Sequence, residues 1–305
     1  MSGRVADAVQ MEETGAPASA SHRGYFRRWR NPVLAAGLAL LSLMLCFVIV
    51  GPMISPYSPT EPAFDQPTFA DPSWSHPLGT DNFGRDTATR LAYGGRTDFV
   101  IAIVGTLLTV IVGLIIGLVA GFQGGKLDTL LMRVVDFTLA LPYLVLVIGI
   151  IAVLGTAPTV IPGFGPLPVN VIFAIWLIGW VTYARLVRGE VLVAKNMEYV
   201  DAARVCGAST TRLILRHITP NVLGIVIIYA MADIVLNILL LSSLSFLGLG
   251  QQPPYPEWGL MVSEARDFFL RDWRMMTYPG LAVLITGAAF GLIGDGLNQA
   301  LRPKG

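Results

Sequence analysis

Charge is scarce in this chain. Only 13% of its 305 residues are Asp, Glu, Lys or Arg, while 54% are hydrophobic and the mean hydropathy is +0.64. A water-soluble domain cannot bury that much apolar side chain, so the composition predicts an integral membrane protein. Cysteine and histidine are scarcer still. Cys46 stands in an apolar run and Cys206 in a polar one, no CxxC spacing exists, and His22, His76 and His217 are far apart. Neither a disulfide framework nor a metal cluster is expected, and both cysteines read as packing residues. Catalytic signatures are missing too. A Walker A loop needs a Gly-rich turn ending in Lys and Ser or Thr, but Gly124-Gly125-Lys126 is followed by Leu127 and lacks the earlier glycine. No HExxH or GxSxG occurs, which argues against an intramembrane protease. The net charge of +1 points to no class of partner, and no nucleic-acid partner is expected.

What the chain has is long apolar runs. Met1–Ser21, rich in Ala, Ser, Gly and acids without periodicity, reads as a disordered tail. Arg23, Arg27, Arg28 and Arg30 then precede the uncharged run from Val33 to Val50; no small-residue cleavage site follows, so this is a retained first span rather than a signal peptide. Runs of roughly 20 residues, the length that crosses a bilayer as a helix, recur. They lie at Val33–Ile54, Phe99–Phe122, Leu131–Leu154, Val169–Val187, Val222–Leu247 and Tyr278–Leu297. Backbone groups in lipid must be satisfied within each span, so the expected fold is all-α, a bundle of six transmembrane helices with both termini on one side. That side carries Lys126, Arg133, Arg185, Arg188, Lys195, Arg204, Arg212, Arg216, Arg302 and Lys304 besides the N-terminal arginines. The other has only Arg85, Arg90, Arg96, Arg266, Arg271 and Arg274. The positive-inside rule therefore predicts cytoplasmic termini. The expected organisation is a basic tail over 1–31, a first helix and Pro-rich extracytoplasmic segment over 32–96, a five-helix core over 97–301 and a short tail over 302–305.

One connection between spans is structured. In Tyr199–Asn221 the helix formers around Ala202 and Ala203 are stopped by Gly207. Ser209 can cap a second short helix, with Arg212 and Arg216 on one face and Leu213 and Ile214 on the other, and Pro220 restarts the chain as a new span. Such a hairpin is either a docking surface or a connector along the membrane. Outside, Pro52, Pro56, Pro59, Pro62, Pro67, Pro72 and Pro77 predict a stiff extended linker, and His76–Asp86 reads as turns. Trp258, Met261, Val262, Ala265, Phe268 and Phe269 fall at helical spacing and predict an amphipathic helix on the outer membrane surface, as a strut or as a roof. Ionisable residues inside spans are costly and therefore candidate sites. Asp136 qualifies, with Arg133 as its expected partner, and so does Asp233, with Asn237 one turn away and no partner in its own span.

Asp201-Ala202-Ala203, Gly207 and Ile218-Thr219-Pro220 resemble the EAA loop of bacterial ABC importer permeases. The chain departs from that pattern where Asp201 stands for Glu and Thr219 for Leu. His76-Pro77-Leu78-Gly79-Thr80-Asp81, with Gly84-Arg85-Asp86, resembles the signature of the C-type permeases of dipeptide, oligopeptide and nickel importers. Gln123–Lys126 with Asp128, Met132–Asp136, Tyr183–Arg188, Ser245–Gly250, Pro253-Pro254, Pro256–Gly259 and Gly294–Leu297 continue the likeness in order, from about Pro52 to Pro303.

The resemblance implies a type I importer permease fold and a coupling hairpin over 188–220, in which Asp201, Ala202, Ala203, Gly207, Arg212 and Pro220 meet an ATPase. It implies a transport subunit rather than an enzyme, with no cofactor of its own and with ATP and Mg held by partner chains. The partners would be a sister permease, two ATP-binding subunits, an extracytoplasmic substrate-binding protein and membrane lipid, in a bacterial inner membrane. Peptides are the implied cargo; nickel, opines and glutathione-like molecules stay open. A secondary transporter would instead need inverted repeats and a relay of buried acids, which two isolated acids do not supply.

Overall fold

The computed structural model describes residues 31–162 and 165–301. The expected disordered tail with its arginines, and the 302–305 tail, lie outside these residues. Among the described residues, five helices are long and apolar enough to cross a membrane. They are α1 (Pro32–Ile54), α2 (Thr87–Gln123), α5 (Val169–Ala194), α7 (Thr219–Phe246) and α9 (Arg274–Leu301). The expected third span, Leu131–Leu154, is not one helix. It is divided into α3 (Gly125–Leu139) and α4 (Tyr143–Leu154), bent by 86°, and the pair counts as a sixth span only if taken together. Pro142 explains the break: it disfavours helical geometry at Leu141 before it and stands at the start of α4.

The second span also differs. α2 begins at Thr87 instead of Phe99, so the expected division between residues 96 and 97 falls inside a continuous helix. Asp86 caps it, accepting from the Thr89 amide at 2.7 Å and the Thr89 hydroxyl at 2.6 Å. The extra turns hold Arg90, Gly94, Gly95 and Asp98, buried against protein, so hydropathy does not register them.

Two seams order the bundle. α2 and α5 run parallel, and Gly105, Thr109, Gly113, Gly117 and Gly121 meet Ile175, Gly179, Tyr183, Val187 and Val191 in turn. A Cβ on Gly117 would stand 2.6 Å from Val187 Cβ and 2.7 Å from the Ala184 carbonyl oxygen, so only glycine permits this approach. On the other side α1 crosses α9, where Gly37 touches the Ile293 backbone and Gly296 the Leu34 backbone. Pro52 inside α1 removes the amide that would bond the Val48 carbonyl. Arg96 of α2 replaces it, donating to Val48 at 3.1 Å and to Ile49 at 3.2 Å.

The Pro-rich segment is not the extended linker its prolines predict. Its backbone closes on the turn that follows, with Ala63 N–H donating to Phe83, Phe69 to Asp81 and Thr80 to Ala70. Prolines that stiffen a free chain here stiffen a folded cap. An antiparallel pair, β1 (Thr159–Ile161) and β2 (Gly165–Leu167), joins α4 to α5 at the same end.

The outer amphipathic helix exists as α8 (Trp258–Ala265) with a 3-10 turn over Arg266–Phe268, but its apolar face meets protein. Trp258, Met261 and Ala265 are buried, the Trp258 indole donates to the Leu91 carbonyl at 2.9 Å, and Phe99 meets that ring edge-on. α8 therefore roofs the bundle rather than lying on lipid.

Candidate functional site

The hairpin is built as its residues demand. α6 (Glu198–Val205) ends in a Schellman turn, with Ala208 N–H bonded to Ala203 at 3.1 Å, Gly207 N–H to Arg204 at 3.0 Å, and Gly207 at φ +79°. Ser209 then caps the short turn Thr210–Arg212 by accepting from the Arg212 amide at 3.4 Å. The second arm does not stop before Pro220. It runs through a π-helical stretch, Leu213–Ile218, straight into α7, because Pro220 has no N–H for the ordinary helical bond and the wider turn absorbs the gap.

The root of this hairpin is buried and its tip is bare. Val200, Leu213, Ile218 and Val222 pack with Tyr183, Val187 and Val191 of α5 and Leu118 of α2 in one apolar cluster. Asp201, Ala202, Gly207, Arg212 and Pro220 are exposed and Ala203 is half-buried, while Val205 is 89% and Leu215 63% exposed. Asp201 pairs locally with Arg204 at 2.8 Å across an exposed turn, an interaction worth little on its own. Behind the hairpin, Arg188 clasps Asp128 with two bonds, one of 2.7 Å, and the Lys195 ammonium donates to the Gly121 carbonyl at 2.8 Å.

The membrane-depth acids do not come together. Asp136 is paired with Arg185 of α5, both exposed, and not with Arg133 as expected; α3 lies along α5, which brings the Arg185 guanidinium across. Asp233 has its partner on another helix. Tyr183 OH donates to Asp233 Oδ2 at 2.9 Å, Asn237 approaches the same oxygen at 3.4 Å, and the Asn237 amide donates to Thr106 at 2.8 Å. Tyr229 meets Tyr183 edge-on at 5.2 Å. α2, α5 and α7 thus share one polar knot amid apolar packing, next to the cluster that roots the hairpin. Tyr183 carried a signal, since it opens the Tyr183-Ala184-Arg185 motif, but its partner lies 50 residues away.

At the far end the turn-like run His76–Asp86 forms a buried ionic lattice that sequence reasoning missed. His76 Nδ1 meets Asp86 at 3.0 Å, Arg85 Nε donates to Asp81 at 2.7 Å, and Arg90 Nη2 donates to Glu264 of α8 at 2.7 Å. Arg90 also donates to the Pro59 carbonyl at 3.0 Å and the Pro254 carbonyl at 3.3 Å, tying the cap, α2 and the roof into one unit. Charges so buried persist only because each has a partner. The alternation of Asp and Arg at turn spacing was the available clue.

Long apolar helices, a bent sixth, and an exposed polar hairpin rooted beside a membrane-depth polar knot define a polytopic permease. The chain belongs to the family described as "Binding-protein-dependent transport system inner membrane component", which it matches over residues 113–304. Residues 25–72 match the "N-terminal TM domain of oligopeptide transport permease C". It is 41% identical over 286 residues to the dipeptide transport system permease protein DppC of Escherichia coli, covering 92% of this chain and 91% of that one. It is 37% identical over 276 residues to the DppC of Bacillus subtilis, covering 90% and 83%. A glutathione transport system permease protein, GsiD of Pectobacterium atrosepticum, is 35% identical over 285 residues, 92% and 91% of the two chains. In fold it is similar to the inward-facing MetNI methionine ABC transporter, with a TM-score of 0.55 at 16% identity over 70% of this chain and 96% of that one. The fold is that of a type I importer permease, as the sequence led one to expect.

Proposed function

We propose that this chain is the permease subunit of an ATP-driven peptide importer, one of two sister permeases around a single path. An extracytoplasmic substrate-binding protein delivers the cargo, and two ATP-binding subunits, carrying ATP and Mg, supply the energy; this chain hydrolyses nothing. Peptide cargo is supported by relatives named for dipeptides, di- and tripeptides and oligopeptides. A glutathione-like cargo is the second reading, favoured by the Pectobacterium relative. The excess of basic residues on the hairpin side supports a cytoplasmic hairpin and cytoplasmic termini.

The observation that carries the coupling role is the hairpin's division into bare tip and buried root. Ala202, Ala203 and Gly207 leave room for another backbone, Val205 and Leu215 offer apolar anchors, and Asp201, Arg212 and Pro220 are exposed on the same hairpin. A push on that tip passes through Val200, Leu213 and Ile218 into α5 and α7, and so to Asp233 and Asn237, which we assign to the path or to the sister-permease interface; exposed Asp136 is the weaker candidate. ATP-driven closure then selects between outward- and inward-open arrangements. Purification of the assembled transporter tests this. Ala203→Arg should insert and pair with the sister permease but lose the ATP-binding subunits and substrate-stimulated ATP hydrolysis; full retention of both would leave the hairpin a mere connector.

A further inference from the structure

The start of the roof helix holds two acids and no base. Asp98 of α2 and Glu257 are both fully buried. Asp98 Oδ2 accepts from the Trp258 amide at 3.1 Å, and Glu257 accepts from the Gly259 and Leu260 amides, each at 2.7 Å. Three successive N–H groups at one helix end thus serve two carboxyl groups, which places both acids at the same point of the fold. A helix N-terminus favours one negative charge; it does not neutralise two. The nearby guanidinium groups are committed elsewhere: Arg90 to Glu264, Asp81 and two carbonyls, Arg85 to Asp81, and Arg96 to the Val48 and Ile49 carbonyls. Glu264 faces the Arg90 side of the lattice, and the nearest side chain of α7 against Gly259 is Ser242. Neither Asp98 nor Glu257 has a salt bridge among the described residues. One further atom needs an account: Asp98 Oδ1 is buried with no hydrogen-bond partner as an acceptor.

A single proton resolves all of this. We infer that Asp98 carries a proton on Oδ1 and donates it to the Glu257 carboxylate, so that the two acids share one charge and fasten the roof helix to α2. The proton fills the empty valence of Oδ1 and turns a like-charge contact into a charge-assisted hydrogen bond. It leaves every backbone amide bond at the helix start intact. Asp98 is then a positioning residue: it touches no cargo, and it keeps the roof and the long helix beneath it moving together.

Infrared difference spectroscopy on the purified transporter tests it directly. At neutral pH, wild type minus Asp98→Asn should contain the C=O stretching band of a protonated carboxyl group. The asparagine amide can donate to Glu257 and accept from Trp258, so this variant should assemble and transport at the wild-type level. In Glu257→Gln the acid donates to a neutral amide oxygen instead, and the band should move. If Asp98→Asn shows no lost band, Asp98 is ionised and the inference fails. Should that variant not assemble, Glu257→Gln decides: a shifted band supports the shared proton, and a spectrum identical to wild type overturns it.

Discussion

Replacing Gly207 separates two reasons why a coupling hairpin would need glycine at its turn. A Cβ built at this position meets no atom within 4 Å, so the chain's own packing does not exclude a side chain. The backbone does: φ is +79°, where an L-residue pays about 1–2 kcal/mol, with asparagine paying less and a β-branched residue more. If the hairpin must hold its Schellman turn to dock, that strain lowers the docking-competent population about 5- to 30-fold. Affinity for the ATP-binding subunits, measured by titration of the purified permease pair, should therefore fall in the order Gly207, Gly207→Asn, Gly207→Ala, Gly207→Val. Asparagine is the decisive variant because it is larger than alanine yet easier on the backbone. Were Gly207→Asn to bind as poorly as Gly207→Val while Gly207→Ala bound normally, size and not conformation would be what the partner senses. If all three variants bound like the parent, the turn would have no part in docking.

Gly117→Val should open the α2–α5 seam, since the Ala184 backbone 2.7 Å away cannot step aside; overpacking of about 1–3 kcal/mol should appear as a lower unfolding temperature of the purified chain, and an unchanged temperature would contradict the seam. Asp233→Leu deprives Tyr183 and Asn237 of their shared acceptor and should reduce uptake per inserted chain or reduce assembly; normal uptake with raised expression would remove Asp233 from the path.

The spans were legible because a bilayer imposes a length and an apolar composition that hydropathy registers directly. The hairpin was legible because Ser209 and Gly207 act through local backbone chemistry. What stayed hidden depends on distant partners. An amphipathic stripe such as Trp258, Met261 and Ala265 has the same pattern whether it faces lipid or α2, so its burial could not be read. Helices kept apolar on all sides give no hint that Tyr183 of one meets Asp233 of another. The early start of α2 was missed for a related reason: Arg90 and Asp98 lower the hydropathy there, and only the roof and the cap make their burial tolerable. Pro142 was visible, yet a proline within an apolar run can kink a span or divide it, and the surrounding packing decides between them.

The closest approaches of the α2–α5 seam recur every four residues along α2, at Gly105, Thr109, Gly113, Gly117 and Gly121, so neither helix can slide against the other by a fraction of a turn without driving a side chain into a carbonyl. The two behave as one beam. α2 alone has 37 residues, which at 1.5 Å each is about 55 Å. At one end of that beam sit Leu118 and the hairpin root; at the other sit Arg90, Asp98 and the roof. For a rigid beam of that length, a tilt of about 5° about its hairpin end would carry the roof end through about 5 Å, so a small stroke at the hairpin would become a large displacement beneath the roof.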